Sequence, residues 1–260
     1  MKQIVHNNTE INSRRNFLRK LITGSAGVSL GTFAVPHVVS GKLFGGDKSE
    51  VSLVTGTDRR ELTYQSLKPF QEVIEKAIGD KQVVIKVNAG VAEPKYKINS
   101  THADHIRGIL DFLKPIYDRQ VIIAEGTASV ACIAFIGFEN YGYMPVEKEY
   151  NAKFIDANDQ PYTTRWIRAA KHHPVPINII DMFMDQNIYL ISAACMKTHN
   201  AVVGTYSLKN VVMGSPVCHY KNKKLANREK NEKAKMHGGR ESKGGRELSY
   251  NIFRIALLGV

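Results

Sequence analysis

The residues most able to do chemistry lie in Met196-Lys197-Thr198-His199-Asn200 and in Gly204-Thr205-Tyr206-Ser207-Leu208-Lys209-Asn210. Two lysines, a histidine, several hydroxyls and two asparagine amides are gathered there, just after the apolar run Ile188-Tyr189-Leu190-Ile191-Ser192. Loops that follow buried strands are where open α/β sheets place their ligands. Other apolar runs also end in polar groups: Val83-Val84-Ile85 leads to Lys86 and Asn88, and Val121-Ile122-Ile123-Ala124 to Glu125. Brought to one crevice, Lys86, Asn88, Lys197, Ser207, Lys209 and Asn210 would suit a phosphate, a carboxylate or a nucleotide, helped by a helix N-terminus near Ser207. His199, beside Lys197, and Glu125 are candidates for a general acid or base. Each of these residues taken singly reads equally well as a solvated loop end or a satisfied turn residue. His102 and His105 stand at i, i+3 and could ligate a metal, but no third ligand follows at suitable spacing and His102 also suits a helix start, so no metal site is assigned.

The elements that must position these groups alternate between strand and helix from about residue 50. A short strand is expected at 51–54, and an apolar stripe through Leu62, Leu67, Phe70, Val73, Ile74 and Ala77 predicts a helix over 60–78, ended by Gly79-Asp80. Strands follow at 83–88, 121–124, 153–156, 177–180 and 188–192, with an edge strand at 162–170 broken by His172-His173-Pro174. Thr101-His102-Ala103-Asp104 resembles a capping box ahead of a helix that Pro115 should kink or end. Further helices are expected at 131–143, from near Ser207, and at 247–258. The alternation predicts an α/β fold with a mainly parallel sheet and flanking helices.

The 260 residues, 43% of them hydrophobic, can bury a sizeable core. The net charge of +12 is uneven. Outside residues 1–40 there are 31 Lys/Arg against 23 Asp/Glu, and the stretch 219–246 alone holds ten Lys/Arg and three Glu. That stretch has almost no aromatics, so it reads as a solvated basic loop and nucleic-acid binding is not expected. Three cysteines, Cys132, Cys195 and Cys218, have no C-x-x-C spacing. A disulfide framework or a self-contained zinc or iron–sulfur site is not expected, and small core residues are the simpler reading.

Residues 1–40 read as an export signal. Ser13-Arg14-Arg15-Asn16-Phe17-Leu18-Arg19-Lys20 follows the twin-arginine pattern, with Arg14 and Arg15 as its signature pair. The segment 21–35 is diluted by Gly24, Gly27 and Gly31 and falls short of the ~20 strongly apolar residues of a membrane span. Cleavage after Ser40, a polar linker over 41–50 and a periplasmic or envelope location are expected, with the twin-arginine translocation machinery as partner.

The signatures Ile85-Lys86-Val87-Asn88, Thr101-His102, Glu125-Gly126, Lys197-Thr198-His199 and Ser207-Leu208-Lys209-Asn210 with Gly214 resemble, in this order and over roughly 83–258, the domain of unknown function 362 family. The resemblance implies an α/β domain. Some members carry twin-arginine signals or ferredoxin-like modules, but the family has no general activity, so no catalytic role or cofactor carries over. This chain lacks the ferredoxin cysteines. It also stops where family members continue with a strand and a glycine-rich segment, so a C-terminally truncated polypeptide is one expectation. The sequence therefore leaves open an enzyme acting on a small anionic substrate, a binding protein for such a ligand, and a truncated or accessory envelope protein with a structural or partner-binding role.

Overall fold

A computed structural model describes residues 50–128, 132–169, 173–199, 204–219, 231–238, 246–257 and 259. The expected signal peptide with Arg14 and Arg15, the linker up to residue 49, Asn200, His172 and most of the basic stretch 219–246 lie outside the described residues.

Two short helices precede the sheet. Asp58 accepts hydrogen bonds from the backbone N–H groups of Arg60 and Glu61 (2.9 and 3.1 Å) and so caps α1 (Arg59–Leu67). The single helix expected over 60–78 is interrupted: Pro69 sits in a 3-10 turn, Lys68–Phe70, and α2 (Gln71–Ile78) starts afresh after it. Gly79, at φ +47, ends α2 where a side chain would be strained. The strand expected at 51–54 does not form, and Val51 and Leu53 are exposed.

The main sheet has four strands, all parallel, in the order β3-β2-β1-β6: β1 (Gln82–Val87), β2 (Val121–Glu125), β3 (Ala152–Asp156) and β6 (Ile188–Ala193). The crossover from β1 to β2 runs through α3 (Ala103–Leu113), and that from β2 to β3 through α4 (Ala134–Asn140) and α5 (Val146–Glu149). β1 is buried on both faces, as its unbroken β-branched run requires in a sheet covered on both sides. Gly108 lets α3 lie against α1, since a Cβ there would stand 2.4 Å from the Arg60 carbonyl oxygen.

One expectation for α3 is corrected. Its N-cap is His102, whose Nδ1 accepts from the Asp104 N–H (3.2 Å), and not Thr101. Thr101 instead turns its hydroxyl to the sheet, accepting from Asn88 N and donating to Ala193 O. Helix α3 ends at Leu113, two residues before Pro115, as expected.

After β3 the chain leaves the sheet for an antiparallel pair, β4 (Tyr162–Arg168) and β5 (Pro174–Ile180). The expected edge strand thus belongs to a separate two-stranded sheet, whose Ile180 N–H donates to the carbonyl of Ser215, just past the helix Ser207–Gly214. Ile167, Ile177 and Ile179 form a second core with Val212 of α6 (Ser207–Gly214) and Leu248 and Ile255 of α8 (Arg246–Ala256). The chain returns in β6 to the far side of β1, so strand order reverses between β1 and β6. That reversal opens a crevice at the carboxyl ends of the strands. The short pair β7 (Lys197–Thr198) and β8 (Gly204–Thr205) follows β6 and leads into α6. Among the described residues no helix is long and apolar enough to cross a membrane.

Candidate functional site

A cavity of about 450 Å³ lies at this switch point. Of the residues singled out in the sequence, Lys86, Asn88, Glu125, His199, Lys209 and Asn210 line it. Lys197 does not line it but reaches Asn88 Oδ1 (2.6 Å) and the Asn99 carbonyl. Ser207 is exposed and stands outside the lining; its carbonyl accepts from Ser192 Oγ (3.2 Å).

At the floor, Lys86 and Glu125 form an ion pair of 2.7 Å in which both side chains are 1% exposed. The Lys86 ammonium also donates to Val87 O (2.7 Å) and to Asn210 Oδ1 (3.4 Å), which engages all three of its N–H groups. The second Glu125 oxygen accepts from Ala89 N (2.6 Å). Glu125 thus bridges the Lys86 ammonium and the backbone just after β1, a position from which it orients Lys86. Asn210 ties β1 to α6: its Nδ2 donates to Lys86 O (3.2 Å) and Ser192 Oγ (3.1 Å), and its Oδ1 also accepts from Asn88 Nδ2 (3.0 Å).

Two glycines make this floor possible. A Cβ on Gly214 would lie 2.3 Å from Lys86 Cε, and one on Gly126 would lie 2.8 Å from Gly214 O. Lys86 therefore passes directly under the last turn of α6, and that turn rests on the backbone after β2.

The outer wall comes from residues 231–237 of the basic stretch, and for these described residues the structure corrects the reading as a solvated loop. Asn231 caps the four-residue α7 (Glu232–Lys235) through Oδ1 and the Lys233 N–H (3.1 Å). Lys233 is buried and donates to Met213 O (3.3 Å), Gly214 O (2.8 Å) and Pro216 O (2.5 Å), closing the carbonyl end of α6 with its amine. Burial pulls the Lys233 ammonium down to about 7, partly opposed by attraction to Glu125 and Asp156. Asn231, Lys233 and His237 line the cavity, as does Thr205. The sequence signal available for them was Asn231-Glu232, an N-cap followed by a first-turn acid; nothing local showed that Lys233 would turn inward.

Lys209 differs from the other lining lysines. Among the described residues no hydrogen-bond acceptor is recorded for it. Burial and then the like charge of Lys197 lower its pKa. His199 and His237 are both held below the ordinary imidazole range by burial first and by Lys209 next. This corner of the cavity is thus rich in donors, and among the described residues the only carboxylate lining the cavity is Glu125, which Lys86 engages.

The cysteine reading is corrected too. Cys132 and Cys218 are joined by a disulfide across a sequence separation of 86, while Cys195 remains a thiol that donates to Ser100 O (3.2 Å), its pKa raised by burial. Among the described residues no three His, Cys, Asp or Glu side chains cluster to hold a metal ion, and the Nδ1 of His102 is engaged in its helix cap.

A four-stranded parallel sheet with flanking helices and a polar cavity at its switch point defines an α/β protein. The family described as Domain of unknown function (DUF362) matches residues 83–257, and the chain belongs to that family. No curated protein and no solved structure matches the chain.

Proposed function

We propose that this protein is exported by the twin-arginine route to the bacterial cell envelope, where the cavity over β1 and β6 holds a small anionic ligand. The observation that carries the reading is Lys209. Lys86 and Lys233 each have three acceptors within the protein, and Lys86 has Glu125 as counterion. Lys209 faces the same space beside two imidazoles and has like charge near it instead. An amine in that setting gains from an incoming phosphate or carboxylate, because the ligand supplies both the acceptor and the opposite charge. Val91, Met213 and Ala234 give the cavity apolar wall for an organic body.

Titration calorimetry on the purified full chain, with inorganic phosphate, small phosphate esters and dicarboxylates, tests the reading. Lys209→Gln should weaken the best anion by about tenfold or more, the loss of one charge-assisted hydrogen bond. Absence of binding by every anion would remove the proposal. If the site also catalyses, His199→Asn should lower turnover while leaving affinity nearly intact; equal loss of both points to binding alone. Export is tested by Arg14→Lys with Arg15→Lys, which should leave the protein in the cytoplasmic fraction.

A further inference from the structure

We propose that the Cys132–Cys218 disulfide is a redox latch on the cavity's outer wall, so that the anion site is fully assembled under oxidising conditions and loosened by reduction. The inference rests on the anion-site reading, but it makes a separate prediction about the wall.

The wall is a short piece of chain with little structure of its own. Helix α7 has four residues, far below the length at which a helix holds itself together. It is anchored where it meets the segment carrying Cys218: Cys218 and Asn231 form an antiparallel bridge, and the Glu232 N–H donates to Val217 O (3.0 Å). What fixes Cys218 therefore helps fix Asn231, Lys233 and His237 at the cavity, alongside the ties of Glu232, Lys235 and Met236 to β5 and α8.

Cys218 is fixed from the other side of the site. Its disulfide partner Cys132 lies between the β2 end, where Glu125, Gly126 and Ala128 line the cavity, and the start of α4. Cys132 has φ +52, in the left-handed region that a residue with a Cβ keeps only when its surroundings impose it. Asn158 braces both cysteines, accepting from Cys218 N (2.9 Å) and donating to Cys132 O (3.3 Å) and Thr127 O (3.0 Å). Reduction removes the covalent tie and leaves this brace, the Lys233 bonds to the end of α6, and the non-covalent ties of Glu232 to Asn178 N, Lys235 to Pro176 O and Met236 to Asn251 and the second core. The wall loosens, while the sheet beneath it, held by its own ladder, stays.

The chemistry is thiol–disulfide exchange. A dithiol reductant gives up two electrons and two protons, the S–S bond breaks, Cys132 and Cys218 become thiols, and the reductant closes to its own disulfide; a disulfide oxidant reverses each step. Both cysteines are fully buried, so exchange requires the wall to open first.

The test uses the full chain in three forms: air-oxidised, reduced with dithiothreitol, and Cys132→Ser with Cys218→Ser. Alkylation of the denatured, unreduced protein should label Cys195 alone. Hydrogen–deuterium exchange should show protection of the 231–237 amides about tenfold lower in the reduced and the serine forms, with β1 and β2 unchanged. Affinity for inorganic phosphate should fall by a similar factor. Labelling of all three cysteines, or equal protection of 231–237 in all forms, overturns the latch whether or not phosphate binds. Loss of protection throughout β1 as well, in both reduced and serine forms, also overturns it, because the bond would then hold the whole fold. Absence of phosphate binding to the oxidised form, with the wall still responding to reduction, refutes the anion reading and leaves the latch standing.

Discussion

Replacing Glu125 by glutamine removes one charge from the floor of the cavity and changes almost nothing else in shape. At 2.7 Å and an effective dielectric of about 20, the gross attraction between Lys86 and Glu125 is about 6 kcal/mol. Desolvation of two groups that are each 1% exposed offsets much of that in the intact pair. The single variant loses the attraction and keeps the desolvation of Lys86, whose acceptors, Val87 O, Asn210 Oδ1 and the new amide oxygen, are then all neutral. Breaking a buried pair from one side costs about 3–5 kcal/mol. For a body of this size that corresponds to roughly 6–20 °C in Tm. Urea denaturation of Glu125→Gln, Lys86→Met and the double variant checks the number. The double variant should be less destabilised than the two single losses added together, by at least ~2 kcal/mol, since no unpaired charge is left. A cost below ~1 kcal/mol for Glu125→Gln, or simple additivity, would refute the claim that these two groups are a pair isolated from water.

The remaining expectations concern the same few residues. Gly214→Ala places a Cβ 2.3 Å from Lys86 Cε, and because that lysine is held by three acceptors the variant should lose about 1–3 kcal/mol in urea; a loss below ~0.5 kcal/mol would mean that Lys86 moves aside freely. His105, His199 and His237 all have folded pKa values below the ordinary 6.5, with burial the first cause in each. The unfolded chain therefore binds protons that the folded chain does not, so their contribution to stability is complete above about 6.5 and is lost as pH falls below it. Tm should decline between pH 7 and 5, less steeply in His237→Asn and less steeply with phosphate bound; a flat profile would contradict the assignment of these imidazoles as neutral.

Much of the fold was legible because burial on both faces leaves a plain mark. The unbroken β-branched runs before Lys86 and Glu125 became β1 and β2, and Ile188-Tyr189-Leu190-Ile191-Ser192 became most of β6. Helix α6 starts at Ser207 as its pattern indicated. Segments whose partners decide their state were less legible. The run 51–54 has strand-like residues but no neighbour to pair with, and 162–168 pairs with β5 instead of joining the parallel sheet.

For the site, residue types alone were enough to nominate Lys86, Asn88, Glu125, His199, Lys209 and Asn210, since apolar strands ending in chargeable groups must open onto something polar. Their division of labour was not written there. Lys86, Lys209 and Lys233 are the same residue chemically, and what separates them is which carbonyl, amide or carboxylate the fold brings within 3 Å or so. Lys233 turns inward because α6, made of residues about twenty positions earlier, ends with its carbonyls facing that point. Cys132 finds Cys218 across a separation of 86 for the same reason. Local sequence determines how a segment rests in a strand or helix, whereas hydrogen bonds and covalent ties between distant segments depend on positions that exist only once the sheet has formed.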